Sequence, residues 1–313
     1  MLEISVIIPV YNAERFLEKS VKSAIQFEEV KEVILIEDKS TDKSLEISKR
    51  LATEYTKVKL FQHSDKENHG AGASRNLGIE KATGNFITFL DADDYYLSNR
   101  FESEKEIFKN SKIEGVFSAI GIEYLTEKGK QEYQSKFKDN TLTTVQYHAE
   151  GEEVFRGLLG LTPKTFGTFF HLNALTIRKS AIDSHHLRFN ENLRVHQDSD
   201  FIIKLAYHCY LKSGVIDKAV AMRGVHDDNR ITKIVQYSPQ YNERQYIYWK
   251  SLYDWASSNH IPSEYKKRIY LSYKSFDLSL KTGFSKYYNI LFESIKNPKI
   301  LKTKYRFNYH RQL

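Results

Sequence analysis

The chain has few of the features that mark a secreted or membrane-spanning protein. Its only cysteine, Cys209, excludes an internal disulfide. No apolar run approaches the length of about 20 residues that a membrane-spanning helix needs. The N-terminus leads straight into a strand-like run with Glu3 near its start, which is unlike a secretory signal peptide. Together these absences predict a cytoplasmic protein.

Basic residues are concentrated at the C-terminal end. Residues 263–313 contain 12 Lys or Arg and 3 Asp or Glu, a net charge of +9, with aromatic residues interleaved. An anionic membrane surface would suit this segment, and so would a helical appendage that buries its aromatics and leaves its lysines in water. No nucleic-acid-binding motif accompanies the charge, so we expect no nucleic-acid partner.

Short β-branched runs alternate with helix-periodic segments over the first hundred residues. Asn12 is placed to cap the first helix, and Ser40 or Thr41 the second. This alternation predicts a parallel, doubly wound α/β sheet, which binds ligands at the carboxyl ends of its strands. The predicted strands are residues 3–10, 32–36, 58–61 and 85–90.

Three carboxylates crowd into four positions, Asp91–Asp94, directly after the fourth predicted strand. Carboxylates this close repel one another, and a divalent cation removes that penalty. A hard ion such as Mg²⁺ or Mn²⁺ that also bridges phosphates fits best. From this segment alone, the alternatives are a solvated acidic loop or Asp94 capping the next helix.

Two residues that follow strands could bind a nucleotide base. Tyr11 comes after the first strand, at the rim of a pocket, and Asp38 ends the second strand, where it can accept a hydrogen bond from a uracil N–H. The alternatives are an aromatic that packs on a helix, for Tyr11, and a helix cap, for Asp38.

The segment His69–Asn76 superficially resembles a dinucleotide-binding fingerprint. Its third glycine is misplaced and no ribose-binding acid follows at the right distance, so we expect no nicotinamide cofactor. The small residues let a helix start approach a ligand closely. Arg75 could then bind a phosphate or a base carbonyl, or pair instead with Asp91 or Asp93.

Four motifs in a fixed order resemble the large inverting glycosyltransferase family 2, which is built on the GT-A fold. The resemblance is specific through about residue 100 and returns around residues 170–230. It implies an α/β fold of GT-A type, a doubly wound, mostly parallel sheet flanked by helices, here with a C-terminal helical appendage. The motifs are Val10–Asn12, Glu37–Asp42, Gly72–Asn76 and Asp91–Asp94.

The resemblance also implies a reaction. A sugar would pass with inversion from a nucleotide diphosphate donor, expected to be a UDP-sugar, to a hydroxyl of a glycan or lipid-linked glycan. Mn²⁺ or Mg²⁺ would neutralise the leaving diphosphate, and the product would belong to a cell-surface polysaccharide. The enzyme would work in the cytoplasm or peripherally on the inner face of the membrane.

Roles for individual residues follow from the same resemblance. The base would lie against Pro9, Val10, Tyr11 and Asp38, with Arg75 contacting the nucleotide. Asp91 would lie near the ribose or the water shell of the metal, and Asp93 would ligate the metal directly. Asp94 would either cap a helix or contact the residues that ligate the metal.

The family carries an acidic pair, usually Glu-Asp, before a helix, and its aspartate takes the proton of the acceptor hydroxyl. Here the pair is Gln197-Asp198, so the first carboxylate is lost. Asp198 aligns with the base and Asp200 is the second candidate, although an aspartate here could also be a helix cap.

A polar loop follows a strand-like run at residues 215–222. Some relatives supply a metal or phosphate ligand from a comparable loop, which makes His226 a metal candidate and Arg223 or Arg230 a phosphate partner. An unliganded loop histidine is the alternative.

The expected organisation is a GT-A domain over residues 1–235 and a basic, aromatic-rich helical appendage over 236–313. Residues 1–98 would form the nucleotide-binding half, and residues 99–235 the acceptor-binding half with strands near 115–124 and 168–177. Charged residues 127–140 are expected to form a loop or hairpin, and the appendage could mediate a homodimer.

Two alternative functions stay open. A sugar nucleotidyltransferase also uses a doubly wound sheet and acidic metal ligands, but the chain lacks the Gly-rich loop with following Arg and Lys after its first strand. The other alternative is a non-catalytic glycan-binding protein descended from the enzyme. It stays open because Gln197 replaces the first acidic residue of the family's pair.

Overall fold

Strands and helices alternate from the start of the chain. The computed structural model describes residues 2–137, 141–167, 169–227 and 235–303, and the chain divides into two units, Met1–Thr232 and Lys233–Leu313. The strands of the first unit are β1 (Ile4–Val10), β2 (Val30–Glu37), β3 (Val58–Gln62), β4 (Phe86–Phe89), β5 (Tyr95–Tyr96), β6 (Gly115–Phe117), β7 (Ala119–Tyr124), β8 (Leu142–Thr143), β9 (Leu175–Arg178), β10 (Leu211–Ser213) and β11 (Ala219–Val225).

The helices of the first unit cover the strands. They are α1 (Leu17–Ile25), α2 (Ser44–Glu54), α3 (Ala71–Lys81), α4 (Glu102–Ile107), α5 (Glu127–Phe137), α6 (Glu152–Leu158), α7 (Lys179–Ser184) and α8 (Gln197–His208), with a 3-10 turn at Leu172–Ala174. The second unit contains α9 (Pro239–Ser258), α10 (Ser263–Leu280) and α11 (Gly283–Lys296), followed by a 3-10 turn at Pro298–Lys302.

The main sheet has the order β10-β6-β9-β4-β1-β2-β3. β1 pairs in parallel with β2 and β4, and β2 with β3, as the helical crossovers between them require. β9 is antiparallel to both of its neighbours, β4 and β6. The predicted α/β class with a mostly parallel sheet is therefore confirmed. Continuous apolar runs form its centre because both faces are covered, and β1 is buried along nearly its whole length.

A second sheet, of order β5-β11-β7-β8, brings a distant segment to the acidic run. β5 begins directly after Asp94, and β11 pairs with it in antiparallel register, Ala221 opposite Tyr96. The end of β11 therefore lies beside residues 91–94, although more than a hundred residues separate the two in the sequence.

Both predicted helix caps are wrong. Asn12 has a left-handed backbone, with φ of 50°, and its side chain accepts from the Thr41 backbone N–H at 2.8 Å instead of capping α1. α2 begins at Ser44, whose N–H donates to Asp42 Oδ1 at 2.9 Å, so neither Ser40 nor Thr41 caps it. Asn12 therefore joins two loops, whereas the start of α2 is held by Asp42 from its own loop.

Four element predictions in the second half need correction. The strand expected near 168–177 begins only at Leu175, after the 3-10 turn at Leu172–Ala174. The run expected at 115–124 is divided between the two sheets, because Ser118 N–H donates to Ala174 O while Ala119 N–H donates to Val215 O. The charged segment 127–140 contains helix α5, which buries Tyr133 beside Tyr124. The strand expected at 215–222 is β11, at Ala219–Val225.

The described part of the second unit, residues 235–303, is mostly helical. Proline limits its helices: Pro262 precedes α10, and Pro298 opens the 3-10 turn after α11. Tyr253 stacks on Tyr273 at 5.3 Å between ring centroids, so part of the aromatic content packs between α9 and α10. Among the described residues, no helix has the length and apolar character to cross a membrane.

Candidate active site

The carboxyl ends of β1, β2 and β4 meet at one edge of the main sheet. Tyr11 follows β1 and is exposed, Asp38 follows β2 and is buried, and Asp91 follows β4 by two residues. The parallel pairing of these strands places the three residues along the same edge, where such sheets bind ligands. Pro9 and Val10 end β1 beneath Tyr11.

Asp38 holds the loop that leads into α3. Its Oδ2 accepts from Gly70 N–H at 2.8 Å and from Asn68 Nδ2 at 2.9 Å, and its Oδ1 accepts from His69 N–H at 2.8 Å. A carboxylate oxygen can accept two hydrogen bonds, so Oδ1 keeps capacity for one more donor. His63 Nε2 lies 3.6 Å from this oxygen.

Arg75 forms an ion pair at the start of the acidic run. The guanidinium is almost fully buried, and its Nη2 donates to Asp91 Oδ1 at 2.5 Å. Burial raises the pKa of Asp91, but the charge of Arg75 and its hydrogen bond act to lower it, so the pKa is lowered and the carboxylate is ionised. Among the described residues, the buried Arg75 Nε finds no hydrogen-bond partner, which leaves a donor available to a ligand.

Asp93 and His226, the two predicted metal ligands, lie together. His226 Nε2 is 3.3 Å from Asp93 Oδ2, and the His226 ring packs on Phe16 at 4.7 Å between centroids. The pairing of β11 with β5 produces this proximity, because His226 directly follows β11 and Asp93 lies two residues before β5.

Asp94 is buried and held from two sides. Its Oδ1 accepts from Gly224 N–H at 2.9 Å, and its Oδ2 accepts from Asn173 Nδ2. Burial, and then the charges of Asp93 and Asp91, raise its pKa well above the usual range. Asp94 does not cap a helix, because α4 begins only at Glu102 with Phe101 at the cap position.

A second group of donors beside this pair could hold a cation. One ligand atom each from Asp91, Asp94 and His171 lies within 4.8 Å of the others. Burial and the charge of Arg223 lower the pKa of His171 to about 4, so its imidazole is neutral at pH 7 and able to ligate. Carboxylate oxygens with an imidazole suit Mn²⁺ or Mg²⁺, so the residues present fit a divalent cation.

Arg223 adds positive charge to the same place. Its charge acts to lower the pKa values of Asp91, Asp94 and His171, so its guanidinium lies near all three. Its role as a phosphate partner stays a prediction. The other candidate, Arg230, lies outside the described residues.

Asp198 approaches the cluster from α8. It lies in the first turn of that helix, its Oδ1 accepts from Ser199 N–H at 2.8 Å, and its charge acts to raise the pKa of His171. His196 occupies the N-cap position of α8, although the Asp198 carboxylate accepts a first-turn N–H as a capping side chain does. Asp200 is fully buried, and its Oδ2 accepts from Lys204 Nζ at 2.5 Å.

Two asparagines that sequence reasoning missed support the site. Asn173 is fully buried, accepts from Asp91 N–H at 3.1 Å and donates to Asp94. Asn76 bonds both the N–H and the C=O of Phe189, which fixes the segment leading to α8 against α3. No sequence signal marks Asn173, and Asn76 is marked only as the last residue of the motif Gly72–Asn76, without a role, because their partners lie about 80 and 113 residues away.

Comparisons with known proteins agree on one family. Residues 5–171 match the family model described as glycosyl transferase family 2. The minor teichoic acid biosynthesis protein GgaB of Bacillus subtilis is 28% identical over 231 residues, 72% of this chain and 23% of its own length. A Campylobacter jejuni GalNAc(5)-diNAcBac-PP-undecaprenol β-1,3-glucosyltransferase is 30% identical over 48% of this chain and 56% of its own length. The chain thus spans about half or less of these relatives.

Solved structures share the fold. S. aureus TarS 1–349 in complex with UDP-GlcNAc has a TM-score of 0.61 at 19% identity, over 92% of this chain and 78% of its own. The Pyrobaculum calidifontis mannosyltransferase PcManGT, in complex with GDP-Man and Mn²⁺, has a TM-score of 0.55 at 13% identity, over 97% and 84%. These likenesses confirm the predicted GT-A type of fold.

Proposed function

The chain belongs to glycosyl transferase family 2. From this premise we propose that it transfers a sugar from a UDP-sugar to a hydroxyl of a cell-surface glycan or its lipid-linked precursor. The transfer would invert the anomeric configuration and would use a divalent metal. The observation that carries the proposal is geometric: His171 Nε2 lies 4.0 Å from Asp91 Oδ2, and the side chain of Gln197, the neighbour of Asp198, lies against Gly72 in the helix that carries Arg75. The donor side of the site, after β4, and the proposed base on α8 therefore share one small region.

The base and the diphosphate would bind along the sheet edge. Asp38 Oδ1, which keeps a free acceptor position, would accept the uracil N–H, with Tyr11 as the exposed wall over Pro9 and Val10. Arg75 would use its unpartnered Nε on the nucleotide, and Arg223 would face the phosphates.

A divalent cation would be held by Asp93 and His226, beside the donor group of Asp91, Asp94 and His171, and would neutralise charge on the leaving diphosphate. Independently of the cation, the buried Asn173 keeps Asp94 and the backbone of Asp91 in place. Because the imidazole of His171 is neutral, it would not repel a cation bound beside it.

Asp198 would take the proton of the acceptor hydroxyl. Its Oδ1 is held by Ser199 N–H, which orients the carboxylate and leaves Oδ2 for the acceptor. The acceptor oxygen would bond to the anomeric carbon as the bond to the diphosphate breaks, so configuration inverts and a nucleoside diphosphate leaves.

Support for the finer points comes from other proteins. UDP as the donor nucleotide is supported by the UDP-GlcNAc complex of S. aureus TarS, and a metal by the Mn²⁺ complex of PcManGT. A lipid-linked acceptor is supported by the name of the C. jejuni relative.

We also propose, from the sequence, that residues 263–313 bring the enzyme to an anionic membrane surface where such an acceptor lies. A homodimer through the C-terminal helices is the alternative.

The deciding experiment measures nucleoside diphosphate release from a panel of UDP- and GDP-sugars, with and without Mn²⁺ and in excess chelator. We expect UDP release that needs the metal and a product of inverted anomeric configuration. Full activity in chelator would contradict the metal role. Pyrophosphate release from a nucleoside triphosphate would favour a nucleotidyltransferase, and absence of UDP binding by calorimetry would favour a non-catalytic descendant.

A further inference from the structure

Helix α11 turns its apolar side outward. Helices of soluble proteins normally bury their apolar stripe and expose their polar one. In α11 the buried side chain is Glu293, which accepts a hydrogen bond from Tyr270 Oη at 2.9 Å. Phe284 is 85% exposed and Ile295 is 75% exposed. The outward face, as we define it, consists of Phe284, Tyr287, Tyr288, Leu291, Phe292 and Ile295.

The spacing of these residues makes one continuous surface. Positions 284, 288, 291 and 295 recur at three or four residues, which places them on one side of a helix, with 287 and 292 at its edges. An apolar surface this long on one helix is unusual for an exposed element and marks a surface that another phase or molecule covers.

Charge around the outward face selects the occupant. Lys296, Lys299 and Lys302 lie at its C-terminal end, and the Lys296 ammonium rests 4.0 Å from the centroid of the Phe292 ring. The one acidic residue of α11, Glu293, points inward to Tyr270. An apolar helix face with tyrosines and lysines at its margin is the pattern of a helix that lies in the interface of a membrane.

We propose that the outward face of α11 docks on an anionic lipid surface, with its aromatic and aliphatic side chains in the boundary between headgroups and acyl chains. A second copy of this chain is a poorer occupant. Two copies of this face would offer the lysines no acidic partner, because Glu293 is buried, whereas anionic headgroups neutralise them. This deepens the membrane proposal from the basic segment as a whole to one helix face, and it does not depend on catalysis.

The test is co-sedimentation of the full chain with vesicles of phosphatidylcholine alone or of phosphatidylcholine with phosphatidylglycerol. We expect binding to the anionic vesicles at low salt, and weaker binding at high salt because screening shortens the range of the lysine charges. Ile295→Ser should lower the partition coefficient about tenfold, since one aliphatic side chain no longer enters the apolar boundary. Ile247→Ser is the matched control, an exposed isoleucine on α9, and should bind like the wild type.

A second arm tests the charge. Replacing Lys296, Lys299 and Lys302 by Gln should lower binding about fivefold for each lysine on anionic vesicles, and leave any binding to neutral vesicles unchanged. Circular dichroism and thermal melting establish that each variant is folded.

The proposal is overturned if the wild type ignores anionic vesicles at low salt, or if I295S and I247S bind alike. It is also overturned if sedimentation velocity without vesicles finds a dimer that I295S dissociates, because the face would then be a protein interface. None of these measurements needs sugar transfer, so their failure is distinguishable from failure of the proposed activity.

Discussion

Asp198 and Asp200 are two residues apart in α8, yet the structure gives them different surroundings. Asp198 is partly exposed and acts on His171, whereas Asp200 is fully buried against Lys204. Geometry therefore separates a candidate base from a side chain that stabilises the helix. Sequence alone ranked the two only by alignment with a family motif.

Asp198→Asn should lower kcat for transfer by about 10²–10⁴, because the amide cannot take the acceptor proton. The donor dissociation constant, measured by calorimetry with UDP and Mn²⁺, should stay unchanged. Asp200→Asn is the matched control. It leaves Lys204 without its buried partner, so the melting temperature should fall, whereas the UDP affinity should change little. Equal kcat in D198N and wild type would remove Asp198 from the chemistry.

Asn173→Ala should weaken Mn²⁺ binding and lower the free energy of unfolding by about 1–3 kcal/mol, since it leaves Asp94 and the Asp91 N–H without their buried partner. Calorimetric Mn²⁺ titration and urea unfolding measure the two effects. Asn99→Ala is the control, because the Asn99 side chain donates its hydrogen bond to the Ala219 backbone carbonyl and not to the acidic run. Unchanged Mn²⁺ affinity in N173A would show that Asn173 does not position the acidic run.

Helix α3 connects the nucleotide side of the site to the sheet through small residues. An added Cβ at Gly78 would lie 2.3 Å from Ile7 Cγ2 in the core of β1, and one at Gly72 would lie 2.1 Å from Gln197 Oε1. The two glycines therefore mark close approaches of different kinds, one to a fixed core side chain and one to the end of a flexible side chain.

Gly78→Ala should lower the free energy of unfolding by about 1–3 kcal/mol from overpacking, even though alanine favours helix by about 1 kcal/mol over glycine. Gly72→Ala should cost less stability, because the Gln197 amide can swing aside. Urea denaturation of both variants measures the difference. If G78A proves as stable as wild type, the contact between α3 and β1 is looser than its geometry indicates.

Glu32, on β2, connects β1, β3 and the turn before β4, and it makes stability depend on pH. It accepts from Ser5 Oγ and Thr83 N–H at 2.7 Å and from Lys59 Nζ at 2.5 Å. Burial raises its pKa, but the bonds from Lys59, Ser5 and Thr83 outweigh burial and lower it to about 2. A carboxylate whose folded pKa lies below its unfolded value stabilises the protein above the unfolded pKa.

Glu32→Gln should therefore cost roughly 2–3 kcal/mol of stability at pH 7, a difference that shrinks as pH falls from about 4.5 toward 2. Urea unfolding of both proteins across this pH range measures it. Glu3→Gln serves as the control, since Glu3 makes an exposed ion pair with Lys31 and should cost under about 1 kcal/mol. A gap between wild type and E32Q that does not narrow with acid would contradict the assignment.

Ligand binding should stabilise the protein as a whole if the proposed site is correct. UDP with Mn²⁺, at about 100 times the dissociation constant, should add about 2.7 kcal/mol to the free energy of unfolding. Differential scanning fluorimetry should record a rise in melting temperature that requires both components. ADP is the control nucleotide, because adenine has an acceptor, N1, on the pairing edge where uracil has its ring N–H. An equal shift with ADP would contradict base recognition by Asp38.

The sequence by itself determined the α/β class, the first four strands and the position of the acidic run. These features depend on neighbours within a few residues: β-branched runs form strands, and the run Asp91–Asp94 follows β4 in the chain. The ordered motifs also identified the family, because each motif is local and only their order and spacing carry the signal.

Only the tertiary structure decided how the site is assembled. His226 meets Asp93 because β11 pairs with β5, and Asn173 reaches Asp91 and Asp94 because β9 lies antiparallel beside β4. The loop role of Asn12, the inward turn of Glu293 and the outward face of α11 likewise depend on partners far away in sequence or on which side of a helix is covered. Hydrophobic pattern and propensity act locally, whereas these contacts arise from strand pairing and packing between segments that only the folded chain brings together.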